Sequence, residues 1–240
     1  MTSWMSRRVL NRELMDEQTP PQAVVDDVYQ TLGAINRWLG GTRATLQRLD
    51  VLSREWPDGA RIEVLDVACG GADIARAIVA WGRAEGFDVR VTALDISPAA
   101  LDYARRHSAD DPRLRFVCAD VHQAPFSKRS FHYIISTLFF HHLGDDEVVQ
   151  ILRMFDRFVT RGIVINDLIR RRRAYLWSWF VTRFGNAVVR HDGPLSVKRA
   201  FRPNELAGLA ARAGLTWLTV TTHFGHRMTL AGDREGGKSV

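Results

Sequence analysis

The chain is poor in cysteine, with only Cys69 and Cys118 in 240 residues. Two isolated thiols exclude a disulfide framework and a cysteine-based metal cluster. They read as small buried thiols near strand ends, in a reducing, cytoplasmic setting. No run of about 18 apolar residues is free of charge, so no transmembrane helix is expected. The first residues, MTSWMSRRVLNRELMDE, lack the apolar core of a secretory signal, and the last, GDREGGKSV, read as a frayed polar tail over 233–240. There is no internal repeat, no low-complexity segment, no zinc finger, no RNA-recognition signature and no helix-turn-helix.

What remains is ample material for one core: 46% of the residues are apolar. The net charge of +6 favours an anionic partner, either nucleic acid or a phospholipid surface. Part of that charge lies in the run Arg170-Arg171-Arg172-Arg173, which reads as a solvated face.

The first 52 residues have helical periodicity. Pro20-Pro21 interrupts it, Ala23, Val24, Val28, Leu32 and Ile35 recur at helical spacing, and Gly40-Gly41 breaks it before a helix capped by Thr42. From Arg61 the pattern becomes an alternation. Strands are expected over Arg61–Val67, Val89–Leu94, Leu114–Cys118, Phe131–Leu138 and Gly162–Ile165. Helices are expected over Asp73–Gly86, Pro98–His107 with Ser97 as N-cap, and Asp145–Phe158. Arg171–Val189 reads as an aromatic helical insert, followed by a loop at His191-Asp192-Gly193-Pro194. Pro203–Ala213 is a helix ended by Gly214, and Thr216–Thr222 and His226–Leu230 form a closing hairpin. Such alternation signals an α/β fold, a doubly wound and mostly parallel sheet that binds ligand at the carboxyl ends of its strands.

The first strand leads into the loop Ala68-Cys69-Gly70-Gly71-Ala72-Asp73. Small side chains let backbone approach a ligand, and the following helix offers free N–H groups. The P-loop pattern is absent. A dinucleotide loop would need glycine where this chain has Ala68 and Asp73, and Asp73 would repel a pyrophosphate. Asp66, just before the loop, makes an acidic mouth that suits a cationic cofactor.

With these residues in view, the chain resembles the class I, Rossmann-like methyltransferases that use S-adenosylmethionine (SAM). Glu63-Val64-Leu65-Asp66-Val67-Ala68-Cys69-Gly70-Gly71-Ala72-Asp73 is similar to the family's first motif, although two of its three glycines are alanines here. Alanine is disfavoured at positive φ, so the loop is the point of departure. The resemblance implies a seven-stranded, mostly parallel sheet with an N-terminal helical lid over 1–52, a SAM-binding domain over 53–232 and a substrate insert at about 170–195. It implies cofactor contacts from Asp66, Ala68, Cys69 and Gly70, ribose binding by Asp95, and adenine packing by Ile96. It also implies an adenine edge at Asp120-Val121, and Thr137 beside the transferable methyl in Ser136-Thr137-Leu138-Phe139-Phe140-His141-His142-Leu143.

Methyl transfer from a sulfonium is an in-line displacement, so the acceptor must be held close and a base can take its proton. His141 and His142 are the candidate bases, with His141 ahead and only one ring of the consecutive pair expected at the site. His191 is a further candidate to reach the substrate. Tyr29, Trp38, Phe140, Tyr175 and Trp179 are candidate substrate contacts, and Arg37 on the lid is a further candidate to face the site. No metal is expected, because one carboxylate and one amide at Asn166-Asp167 do not make an oxygen cage. The expected reaction is O-methylation of a small aromatic or lipid-like acceptor, of secondary-metabolite or quinone type, leaving S-adenosylhomocysteine. The expected protein is a cytoplasmic monomer or homodimer. Transfer to RNA or protein, and a non-catalytic SAM-fold protein, are the alternatives.

Overall fold

A computed structural model describes residues 5–17, 21–224 and 226–234. The N-terminal part holds a short helix α1 (Leu14–Glu17), then α2 (Gln22–Trp38) and α3 (Gly41–Leu52). Strands and helices then alternate: β1 (Arg61–Val67), α4 (Asp73–Ala84), β2 (Asp88–Asp95), α5 (Pro98–His107), β3 (Leu114–Cys118), β4 (Phe131–Thr137), α6 (Asp145–Phe158) and β5 (Val159–Leu168). The insert forms α7 (Arg172–Thr182) and α8 (Ala187–Arg199), and the chain closes with α9 (Pro203–Arg212), β6 (Thr219–His223) and β7 (Arg227–Asp233).

The strands form one seven-stranded sheet in the order β3-β2-β1-β4-β5-β7-β6. Pairing is parallel from β3 through β5, and β7 runs antiparallel to both β5 and β6. Strand order reverses between β1 and β4, the switch point at which the ligand crevice of such sheets lies.

The period-2 geometry of a strand sorts its apolar residues between the two faces. Leu65, Val67, Ile134, Ile163 and Ile165 pack with residues of α6 and α9. Ile62, Val64, Tyr133, Ile135 and Val164 pack with α3 and α4 on the opposite face. Both faces are covered, which explains why the central strands are nearly continuous apolar runs. Each fully buried leucine or isoleucine there contributes about 1.5–3 kcal/mol.

Local signals act as expected in α5, where Ser97 caps the helix by accepting from the Ala100 N–H, and after α9, where Gly214 has φ +86°. Elsewhere the structure corrects the sequence reading. Thr42 is not a cap: α3 starts at Gly41, and Gly40 precedes it in the left-handed region. The insert continues to Arg199, so His191-Asp192-Gly193-Pro194 lies within α8 and is not a loop. That segment tolerates Pro194 inside the helix, because packing of Asp192, Pro194 and Ser196 overrides propensity. Cys69 is buried, but Cys118 is exposed, since β3 is the sheet edge. Arg171, Arg172 and Arg173 are solvated, whereas Arg170 is buried. Its guanidinium is satisfied by the carbonyls of Met5, Ser6 and Ala200 and by Glu205. The expected tail over 233–240 lies largely outside the described residues. No helix among the described residues is long and apolar enough to cross a membrane.

Candidate active site

The loop after β1 is held in an unusual conformation. Ala68, Gly70 and Ala72 all have positive φ, at 56°, 50° and 54°. Alanine pays about 1–2 kcal/mol for this region, so the fold imposes on both alanines what glycine would accept freely. Leu138, just past β4 on the other side of the switch point, is also left-handed, at φ 58°. Strained residues thus flank the crevice on both sides.

Asp66 ends β1 as a fully buried carboxyl. Its Oδ2 has no hydrogen-bond partner among the described residues. Burial, then Asp73 and Asp95, push its pKa well above the usual carboxylate range. The same burial and the same acids raise the pKa of the Cys69 thiol and so disfavour its thiolate. Thr137, at the end of neighbouring β4, has a buried hydroxyl that likewise lacks a partner among the described residues. A buried orphan acceptor beside two more carboxylates is the environment that a bound cation relieves.

Asp95 ends β2. Its Oδ2 accepts from the Gly70 N–H at 2.7 Å and its Oδ1 from the Ser97 N–H at 2.9 Å. Burial raises its pKa against those backbone donors. The Ile96 N–H also acts on this carboxylate, and the acceptor capacity that remains suits a diol. Ile96, next in the chain, is 68% exposed, a side chain left available for a flat ring. Asp120 accepts from the His122 N–H at 2.9 Å and opens a 3-10 turn that buries Val121.

The N-terminal helices lie across this crevice. A Cβ on Gly70 would come within 2.7 Å of the Tyr29 ring, and one on Gly71 within 3.0 Å of Tyr103. Tyr29 therefore sits directly on the loop. Asn36 of α2 donates to Asp73 at 3.0 Å and accepts from Arg227 at 2.9 Å. Asn166 of β5 donates to the Gly41 carbonyl and to Thr45. Trp38 is not brought to the crevice: it is 75% exposed on the outer side of α2. Phe140 is not available either, being fully buried against Phe139 and Phe155 in the main core.

The segment Phe140–His142 is a 3-10 turn after β4. It brings both histidines to one carboxylate, where the sequence reading expected a single ring. The His141 Nε2 is 3.6 Å, and the His142 Nε2 3.9 Å, from oxygens of Glu13. On its other side the His141 Nδ1 is 2.7 Å from Asp167 Oδ1, and the His141 N–H donates to Asp167 Oδ2. Burial alone would lower the His141 pKa, but Asp167 and then Glu13 outweigh it and push it up to about 9. Both carboxyls are correspondingly held below their usual range by the imidazolium, against the cost of burial. Glu13 also accepts from Ser196 at 2.8 Å and lies 3.9 Å from Arg199.

Glu13, His141 and His142 bring their ligand atoms within 4.8 Å of one another, a set with the composition of a divalent-metal site. The Arg199 guanidinium already supplies a cation at Glu13, and electrostatic repulsion opposes a second one there. Sequence reasoning missed Glu13 and Arg199, which nothing local distinguishes. Asp167 was readable as another acid closing a strand.

Tyr175 and Trp179, expected in the substrate region, do share a cavity of about 450 Å³ with His191. It lies between α7, α8 and residues 11–14 of the N-terminal segment. Trp177, Phe180 and Phe184 are exposed on the outside of the insert.

The sheet order, the switch-point crevice and the acidic residues closing β1 and β2 define the class I SAM-dependent methyltransferase fold. Comparison with known proteins agrees. Residues 64–162 match a family described as methyltransferase domain. The chain is similar to the malonyl-[acyl-carrier protein] O-methyltransferase of Acetivibrio thermocellus, 29% identical over 118 residues. That match covers 49% of this chain and 37% of the relative. It is also similar to the ubiquinone/menaquinone biosynthesis C-methyltransferase UbiE of Rickettsia felis, 28% identical over 46% of this chain and 47% of the relative. The alignments thus span less than half the length of either curated relative. Among solved structures, a SAM-dependent methyltransferase from Aquifex aeolicus superposes with a TM-score of 0.59 at 14% identity, covering 90% of this chain and 99% of that one. The plantazolicin methyltransferase BpumL, solved with S-adenosylhomocysteine, superposes with a TM-score of 0.63 at 10% identity, covering 88% and 94%.

Proposed function

We propose that the chain transfers a methyl group from SAM to a small aromatic or lipid-like acceptor at a hydroxyl oxygen. The observation that carries the cofactor part is the buried Asp66 Oδ2, which has no hydrogen-bond partner among the described residues, near the Asp95 carboxylate that accepts from the Gly70 N–H. Asp66 would face the cationic amino-acid end of the cofactor, Asp95 the ribose hydroxyls, Ile96 and Val121 the adenine, and Ala68, Cys69, Gly70 and Thr137 the remaining wall. When bound, SAM supplies an activated methyl on a sulfonium. Tyr29 and α2 close the crevice from above and exclude water.

For the acceptor side, His141 and His142 are the residues placed to manage a proton. Asp167 fixes the His141 ring through Nδ1, which leaves Nε2 as the atom that exchanges a proton. With Glu13 alongside, that ring is an imidazolium and cannot accept one. In this reading an acceptor hydroxyl takes the place of Glu13, and the dyad then acts as base. Tyr29, Tyr175 and Trp179 contribute the acceptor-facing surface. O-methyltransfer fits one curated relative's name and C-methyltransfer the other's, and a histidine base beside an acidic partner favours a hydroxyl acceptor.

Calorimetry with SAM and S-adenosylhomocysteine tests the cofactor reading: no heat at millimolar ligand would sink it. Incubation with labelled SAM and a metabolite extract then identifies the acceptor. Label appearing on RNA or protein instead of small molecules would overturn the acceptor class.

A further inference from the structure

The outward face of α7 is apolar where the solvent side of a surface helix is ordinarily polar. Five of the nine exposed large apolar side chains among the described residues lie between Leu176 and Phe184. Successive residues of a helix advance by about 100°. The buried or half-buried Ala174, Tyr175, Ser178, Val181 and Thr182 therefore mark one face, turned to the body of the fold. Leu176, Trp177, Trp179 and Phe180 fall on the opposite face, and Phe184 continues it just past the last turn. The rings meet: the Trp177 and Phe180 centroids are 6.5 Å apart, and those of Phe180 and Phe184 6.0 Å. This is one continuous patch and not a scatter of single residues.

The patch has a basic rim. Arg172 and Arg173 share the outward face in the first turn, and Arg183 follows the last turn with its guanidinium 5.2 Å from the Trp179 ring centroid. All three are exposed, as is Arg171. Between Leu168 and His191 the chain has six arginines and no aspartate or glutamate. An apolar ridge with arginines at both ends complements the surface of an anionic bilayer, where rings reach the acyl boundary and guanidiniums stay among the phosphates. A second copy of the chain fits this face poorly, because two-fold pairing would set the arginines against their own counterparts. Nucleic acid fits it less well than lipid does. Phe180 and Phe184 meet edge to face, at 88°, which makes a ridge and not a set of parallel faces for bases.

We propose that α7 docks the protein on an anionic phospholipid surface, with Trp177, Phe180 and Phe184 inserted and Arg172, Arg173 and Arg183 on the lipid phosphates. Trp179 belongs to this face and also lines the cavity shared with Tyr175 and His191, so the docked face adjoins the proposed acceptor surface. The docking itself does not depend on the methyltransferase reading.

The test is cosedimentation of the full chain with vesicles of phosphatidylcholine alone and of phosphatidylcholine and phosphatidylglycerol in equal parts. Affinity for S-adenosylhomocysteine is measured in parallel. Wild type is expected to bind the mixed vesicles about tenfold tighter than the neutral ones. The W177A/F180A/F184A variant is expected to lose about tenfold on the mixed vesicles. R172Q/R173Q should lose about tenfold on the mixed vesicles and little on the neutral ones. Unchanged affinity for S-adenosylhomocysteine reports an intact fold in both variants; if the triple variant loses it, R172Q/R173Q decides. Wild type binding neither vesicle, or both equally, overturns the proposal, and so does either folded variant binding like wild type. A dimer in sedimentation velocity that the triple variant dissolves would give the face to a second copy and overturn it. Tighter binding to poly-uridylate than to the mixed vesicles, lost in the same variants, would give the face to nucleic acid and overturn it. Failure of S-adenosylhomocysteine to bind wild type would instead remove the methyltransferase reading, whatever the vesicle arms show.

Discussion

Asp66 is a carboxyl kept where a carboxylate is unwelcome, and that has a measurable sign. Its folded pKa is raised by burial and by Asp73 and Asp95. The unfolded chain ionises near 3.8. The residue therefore costs stability as pH rises above that value, with the cost growing up to the folded pKa. Asp66→Asn removes the cost while nearly keeping the shape. The variant should melt several degrees higher than wild type at pH 7 and bind S-adenosylhomocysteine at least tenfold more weakly. A fall in both melting temperature and affinity would show that the carboxyl is structural. Asp95→Ala should lose at least tenfold in cofactor affinity, since about 1.5–3 kcal/mol attaches to each hydrogen bond with a charged group. It also strips the Gly70 and Ser97 N–H groups of their acceptor, so its melting temperature should fall, unlike that of Asp66→Asn. Ala68→Gly tests the strained loop. Relief of a left-handed alanine is worth about 1–2 kcal/mol, offset by about 0.5–1 kcal/mol of glycine entropy. A small rise in melting temperature is expected, and a fall would mean that the Ala68 methyl packs productively.

Between elements, the decisive contact is Tyr29 of α2 on the loop after β1. Gly70 has φ +50° and no room for a Cβ, because the Tyr29 ring stands 2.7 Å from that point. Gly70→Ala should therefore push α2 off the loop and weaken the cofactor strongly, and Gly70→Ala with Tyr29→Ala should recover part of the loss. Absence of any recovery would place the effect in the backbone alone. This contact also shows what the sequence could and could not convey. Asp66 and Asp95 were legible because their positions follow from strand ends, which alternation of apolar residues locates. The central strands were legible for the same reason, with β5 longer at both ends than its most apolar part. The insert was harder. Its α8 contains Gly193 and Pro194, which locally signal a loop, and only packing against the N-terminal segment makes it helical. Trp38 and Phe140 were misplaced because periodicity gives a helical or strand face without saying what that face meets. Glu13 was invisible, since its partner His141 is distant in the chain and no local pattern pairs them.

At the scale of the molecule, the N-terminal segment is held down mainly by charge. Glu13 faces the His141 imidazolium, Arg8 donates to the Leu143 carbonyl at 2.8 Å and pairs with Asp145, and Arg199 donates to the Asn11 carbonyl at 2.7 Å. The His141 link has a pH dependence whose direction is fixed. Its folded pKa of about 9 stands above the ordinary 6.5, so the stabilisation is fully present below about 6.5 and is lost as pH rises through about 9. Loss of the proton leaves Glu13 and Asp167 facing a neutral ring, and the N-terminal segment is expected to loosen. Trypsin cleavage at Arg7 and Arg12 reads this directly. Cleavage there should be slow at pH 7 and faster at pH 10, relative to a reference peptide bond in an unstructured substrate. His141→Asn should already be cleaved rapidly at pH 7, with little further change at pH 10. If wild type and His141→Asn show the same pH profile, the imidazolium is not what holds the segment, and the Arg8 and Arg199 contacts carry it instead.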